Sequence, residues 1–231
     1  MQILEVRLQT AASTLLELES FYLDGFGLDV VLSHGYQVGT TTLAFASVED
    51  GRPFYHFALR VPRNRFAAAR EWLAERTALL PDRESGDTTF DFTAWNAAAC
   101  YALDPGDNLV ELIAHHELPE ESPEEGAFSG AELLGVCEIG LVVPDRRRAA
   151  ETLAPLGVEL WDGELDGPLA FLGGRDGVLI LARPGRGWIP TGRPGEQWPV
   201  DVVFAGAPDA EVTLPGSDGL YRIRRSTSSI L

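Results

Sequence analysis

The chain has 231 residues, 45% of them hydrophobic, and a formal charge of −17. That is enough apolar material for one large core or two modest ones, while so acidic a surface repels nucleic-acid phosphates and anionic lipid and sets those partners aside. All eighteen basic residues are arginine, which excludes a lysine Schiff base and the lysine of a phosphate-binding loop.

Residues 3–9, ILEVRLQ, alternate apolar and polar positions and predict a half-buried strand. The first ten residues hold no basic region followed by an apolar run, and no stretch of about 18 apolar residues occurs anywhere, so a cytoplasmic protein without a membrane span is expected. AASTLLELESFYLDGFGL predicts a helix, with Leu15, Leu18 and Tyr22 at helical spacing and Gly25 and Gly27 ending it. Strands are expected at LDVVLSH and TTLAFASV, with His34 in a turn, and again at YHFALRV, residues 55–61. FAAAREWLAERTALL predicts a second helix whose Phe66, Ala69, Trp72, Leu73 and Leu80 share a face. FDFTAWNAAACYAL reads as two strands, closed by the turn DPGDN and followed by the strand LVELIAH.

Residues 117–130, ELPEESPEEGAFSG, carry five Glu and two Pro in their first nine positions and read as an exposed acidic linker. Beyond it the pattern restarts. VCEIGLVV is a strand, Asp145 can cap a helix through RRRAAETLAPLG, and Pro155 ends that helix early. Its run of Arg146, Arg147 and Arg148 reads as a solvated face. Strands VELWDG, LAFLGG and VLILARP follow. RPGRGWIPTGRPGEQWP, residues 183–199, reads as a Pro/Gly-rich loop wrapping a surface, with a lid as one use for it. PVDVVFAG, AEVTLPG and LYRIRR have strand character only. The chain thus holds three βαβββ-like units and a helix-less remnant, and repetition on this scale implies that one unit closes its core against another. Cys100 and Cys137 are far apart and predict buried free thiols rather than a disulfide or a metal site.

At DPGDNLVELIAH, residues 104–115, and YHFALRVP, residues 55–62, the chain resembles the vicinal-oxygen-chelate superfamily of glyoxalases, bleomycin-resistance proteins and extradiol dioxygenases. FYLDGFGLDVV, residues 21–31, is similar to the helix-to-strand junction of that superfamily's first module. The resemblance implies an α+β fold in which βαβββ modules pair into cupped mixed sheets around a divalent metal. It places His56 at the imidazole position of a first strand and Glu111 at the carboxylate position of a last strand. Glu5 occupies the position in ILEVRLQ that His56 occupies in YHFALRV. Pairing of modules one and two, residues 1–116, would therefore unite Glu5, His56 and Glu111, with Glu111 and Glu5 also as the catalytic carboxylates. The plainer reading of Glu5 is an ion pair with Arg7.

Alternation supports the inward direction of Glu111, which shares a face with Leu109 and Ile113, and puts His56 on one face with Ala58 and Arg60. A carboxylate among apolar neighbours needs a cation or an arginine beside it. Imidazole with carboxylate suits Fe, Zn, Ni or Mn. Trp95, Tyr101 and Arg60 are expected to line a substrate pocket, although core packing also accounts for strand aromatics. His115 and His116 end a strand, at the cup mouth or in solvent. Residues 131–231 are expected to be a degenerate third module plus the remnant, mainly structural. Glu138 heads that module's first strand, but Leu179 stands where its last-strand Glu should be. The function expected is a metal-dependent enzyme, dioxygenase or lyase and isomerase in type, acting on a small molecule whose two neighbouring oxygens chelate the metal; a homodimer is compatible with it. The alternative is a metal-free protein that sequesters a small molecule, as bleomycin-resistance relatives do.

Overall fold

The computed structural model describes residues 1–216 and 219–227. The first module is β1 (Ile3–Ala11), a helical stretch, β2 (Val30–Leu32), β3 (Gly35–Val38) and β4 (Thr41–Val48). The helical stretch is a 3-10 turn at Ala12–Thr14, α1 (Leu15–Glu19) and a π-helical turn at Ser20–Gly25. The second module is β5 (His56–Arg60), α2 (Phe66–Ala74), β6 (Phe90–Phe92), β7 (Ala97–Leu103) and β8 (Leu109–His115). The third is β9 (Gly135–Val142), α3 (Arg146–Leu153), β10 (Leu160–Gly163), β11 (Leu169–Gly174) and β12 (Gly177–Ala182). The remnant supplies β13 (Val200–Ala205), β14 (Ala210–Thr213) and β15 (Tyr221–Ser226).

Local chemistry explains most of these limits. The Asp145 carboxylate accepts from the Arg148 backbone N–H at 3.0 Å and starts α3, and Pro155 falls in the 3-10 turn Ala154–Leu156 that ends it. The α2 helix stops at Ala74, short of the expected Leu80. The backbone N–H of Leu80 donates instead to the Tyr101 carbonyl at 2.8 Å, so the end of that segment is extended along β7. The turn after β7 is held by Asp104, whose Oδ1 accepts from the backbone N–H groups of Gly106 and Asn108 and whose Oδ2 accepts from the Tyr22 hydroxyl at 2.8 Å.

Two mixed sheets result. One has seven strands in the order β14-β15-β13-β1-β4-β3-β2, the other eight in the order β10-β11-β12-β9-β5-β8-β7-β6. The expected pairing of modules one and two across residues 1–116 is therefore not the one formed. Strand β5 has β8 on one side, and its other edge is taken by β9 of the third module in antiparallel register. Strand β1 has β4 on one side and β13 of the remnant on the other. The acidic segment 117–130 accordingly joins two modules of one sheet. It is also tied down: the Ser122 hydroxyl donates to Glu132 and the Asn64 amide donates to the Ser122 carbonyl, each at 2.8 Å.

The main core lies between the sheets and under the helices, with Val6, Leu8 and Leu43 from one sheet meeting Phe57, Leu59, Val110, Leu112 and Leu141 from the other. A second apolar cluster covers the concave face of the eight-stranded sheet, with Phe54, Ala58, Leu109, Ile113, Val178, Ile180 and Trp188 among its members. Successive residues of β8 fall alternately into these two clusters, as the two-residue period of a strand requires. That alternation aims Glu111 into the concavity.

Candidate metal centre

The centre is built around Ala58, in the middle of β5. Ala58 is in register with Glu111 on β8 and with Glu138 on β9. All three point to the concave face, and His56 lies two residues away on that face. A methyl group between two carboxylates leaves open the space that a larger side chain would fill. His56, Glu111 and Glu138 are all buried, and each offers a ligand atom such that all three lie within 4.8 Å of one another. Ligands held about 2.0–2.2 Å from one ion in tetrahedral geometry are about 3.3–3.6 Å apart, so a small inward movement of the side chains would bring the three onto one ion.

The hydrogen-bond pattern fits a cation between them. His56 Nδ1 lies 3.3 Å from the Leu109 carbonyl oxygen. That oxygen can only accept, so Nδ1 carries the proton and Nε2 presents a lone pair. Nε2 faces Glu111 Oε2 at 3.4 Å, which brings two electron-pair donors together. The Glu138 Oε1 atom is buried with no hydrogen-bond partner among the described residues. Burial holds the His56 imidazole down at about 4, helped by the charge of Arg186. Burial and the neighbouring Glu138 push the Glu111 carboxyl well above its ordinary value, against a hydrogen bond from Tyr101. Burial raises Glu138 to about 7. A divalent ion would relieve all three, and with two carboxylates it makes a formally neutral set.

The three residues open into a cavity of about 120 Å³ lined also by Phe92, Trp95, Tyr101, Leu169, Phe171, Ile180, Arg186, Trp188 and Ile189. Trp95 and Tyr101 stand where a pocket was expected. Trp95 belongs to the 3-10 turn Thr93–Trp95 rather than to a strand, and it packs edge-on to Phe171 with ring centroids 4.7 Å apart. Arg60 is elsewhere. It lies at the far end of β5 in a separate cavity of about 390 Å³, ion-paired to Asp176 at 2.8 Å and to Glu120 at 3.4 Å. His115 is not solvated; it is 2% exposed beneath Trp95, and burial lowers it to about 4.

Glu5 is not part of the cluster. It lies in the seven-stranded sheet, buried, and accepts a short hydrogen bond from Arg7. Strand for strand, that sheet repeats the arrangement of the other: Arg7 is in register with Ala44 and Asp201, as Ala58 is with Glu111 and Glu138. There arginines take the place of a cation, Arg7 on Glu5 and Arg222 on Asp201 at 2.6 Å. The counterpart of Glu111 in the third module is Ile180, not Leu179. Ile180 lines the cavity, whereas Leu179 points into the core between the sheets. Sequence reasoning placed Glu138 at a strand head but gave it a structural role, because it had paired the wrong modules. It missed Arg186, Trp188 and Phe171 as well. The one available signal was the combination of Trp and Arg in the loop 183–199.

No family profile matches the chain, and no curated protein sequence does. Solved structures do. A candidate dioxygenase from Bacillus subtilis superposes with a TM-score of 0.61 at 13% identity, over 99% of this chain and 86% of that one. Glyoxalase I from Zea mays superposes with a TM-score of 0.53 at 15% identity, over 97% of this chain and 91% of that one. Likeness at such low identity is a likeness of backbone. Together with the module order and the paired cupped sheets, it establishes that the chain has the vicinal-oxygen-chelate fold.

Proposed function

We propose that the protein is a metal-dependent enzyme that binds a small substrate through two neighbouring oxygens and moves a proton on it, in the manner of an isomerase or lyase. The observation that carries this reading is the buried trio of His56, Glu111 and Glu138 on the floor of an aromatic-walled cavity. These residues would hold one divalent transition ion, which when bound acts as a Lewis acid toward the substrate oxygens. One imidazole with two carboxylates departs from the two-histidine, one-carboxylate set of iron oxygenases, so proton transfer fits better than oxygen activation. Glu138 Oε1, which has no hydrogen-bond partner among the described residues, is the oxygen available to accept a substrate proton. Phe92, Trp95, Phe171 and Trp188 keep water away and hold the apolar part of the substrate.

Elemental analysis tests the reading. Protein purified without chelator should carry about one equivalent of a transition metal per chain. Glu111→Ala and Glu138→Gln should each remove most of it, while Glu5→Gln should leave it unchanged. Metal-free native protein, or equal loss from Glu5→Gln, would overturn the proposal. With the metal present, solvent deuterium should enter an α-hydroxycarbonyl probe, and catechol should cause no oxygen uptake.

A further inference from the structure

Arg186 enters the cavity from the loop 183–199, on the same lining as His56, Glu111 and Glu138. It is half-buried, and its guanidinium lies 5.7 Å from the ring centre of Trp188. Among the described residues, no carboxylate forms an ion pair with it and none of its side-chain nitrogens makes a hydrogen bond to the protein. Ten of the eighteen arginines are ion-paired to a carboxylate among the described residues, and Arg186 is one of the eight that are not. Arg60, Arg65 and Arg222, for example, are each bound to carboxylates. A guanidinium partly screened from water and given no protein anion is a preformed receptor for a ligand's anion, and its planar fork matches a carboxylate.

The charges agree. Two carboxylates and a divalent ion sum to zero, so Arg186 leaves the cavity with one net positive charge. Its field reaches His56, where it adds to the effect of burial; Arg186 itself is lowered by burial, with the Tyr101 phenol acting the other way and no carboxylate among its influences. The cavity has two groups of rings. Phe92, Trp95 and Phe171 form one connected set; Tyr101, His56 and Trp188 form the other, and Arg186 sits with the second.

We propose, resting on the metal-centre reading above, that Arg186 pairs with the outer carboxylate oxygen of a substrate whose other carboxylate oxygen and adjacent hydroxyl or keto oxygen are the chelating pair, so that the pocket takes small organic acids of the 2-hydroxy or 2-oxo acid class. The ring set of Phe92, Trp95 and Phe171 then receives the acid's apolar substituent.

The test is calorimetric titration of the purified protein with glycolate, lactate and mandelate, each beside its neutral amide, with the metal content of every sample measured. At least one acid should bind roughly 10- to 100-fold more tightly than its amide, the factor expected for one charge-assisted pair. Arg186→Gln should lower that acid's affinity by the same factor and leave the amide within about twofold, while Arg186→Lys keeps part of the preference. Metal content should be the same in all three proteins. If no pair prefers the acid, or if Arg186→Gln leaves the preference intact, the proposal is overturned while a measured metal would leave the metal centre standing. An Arg186-dependent preference in protein without metal would support the carboxylate role and overturn the metal centre alone.

Discussion

Glu138 and Glu111 stand on either side of a single alanine; in the absence of a cation, burial and then the charge of Glu138 raise the proton affinity of Glu111, and burial raises that of Glu138. The folded state holds the Glu138 proton more tightly than the unfolded chain does, because burial lifts its carboxyl from 4.5 to about 7. The contribution of that proton to stability is whole below about pH 4.5 and is lost as the pH rises through about 7. Chelator-treated protein should therefore lose thermal stability across that interval, and Glu138→Gln should flatten the decline. A divalent metal added above the interval should restore several degrees of Tm, since ~1 kcal/mol corresponds to roughly 2–4 °C at this chain length. Identical pH profiles for the native protein and Glu138→Gln, followed by calorimetry, would count against a buried charged pair. Strand parity groups Glu111 with Leu109 and Ile113, and His56 with Ala58, and the structure turns both sets to the concave face. Parity could not separate Glu5 from Glu138, since both are strand-head glutamates with apolar neighbours and differ only in what the opposing strand brings.

At the scale of elements, the loop 183–199 adds a wall to the concave sheet, bringing Arg186, Trp188 and Ile189 to the cavity. Trp188 packs against the His56 ring with centroids 5.0 Å apart. It reaches that position because β9 carries glycine at 140: a Cβ there would lie 2.6 Å from the Trp188 ring. Gly140→Ala should push the indole out of the cavity and destabilise the fold by about 1–3 kcal/mol, the usual range for overpacking. The accompanying signature is a red-shifted tryptophan emission with metal content retained. An unshifted emission and unchanged unfolding midpoint would show that the ring is not held by this contact. The loop was legible as a loop from its Pro and Gly content, but its destination was not. Helix ends behaved similarly. Asp145 and Pro155 mark α3 through local chemistry, whereas α2 ends early because Leu80 hydrogen-bonds to Tyr101, a partner far away in sequence.

For the whole molecule, neither half of the chain owns a complete sheet. Strand β1 needs β13, and β5 needs β9. The core between the sheets draws on all four modules. A fragment of residues 1–116 would expose one edge of β1 and one of β5 together with half of that core, and exposed edges of this kind lead to aggregation. It should show no cooperative thermal transition by circular dichroism and no metal retention, in contrast to the full chain. A sharp transition from the isolated fragment would contradict the sheet order.

The sequence by itself determined the module repeat and the alternating faces of β5 and β8, which depend on short-range periodicity and on turn chemistry within a few residues; the resemblance of residues 55–62 and 104–115 to vicinal-oxygen-chelate motifs implied the α+β class and named His56 and Glu111 as candidate ligands. Which module closes which sheet was decided only by tertiary structure. Each of four similar units offers an equivalent free edge, and the choice among them is made by the packing of the entire core. That choice exchanged Glu5 for Glu138, gave Glu5 an arginine instead, and brought a distant loop with Arg186 and Trp188 over the site.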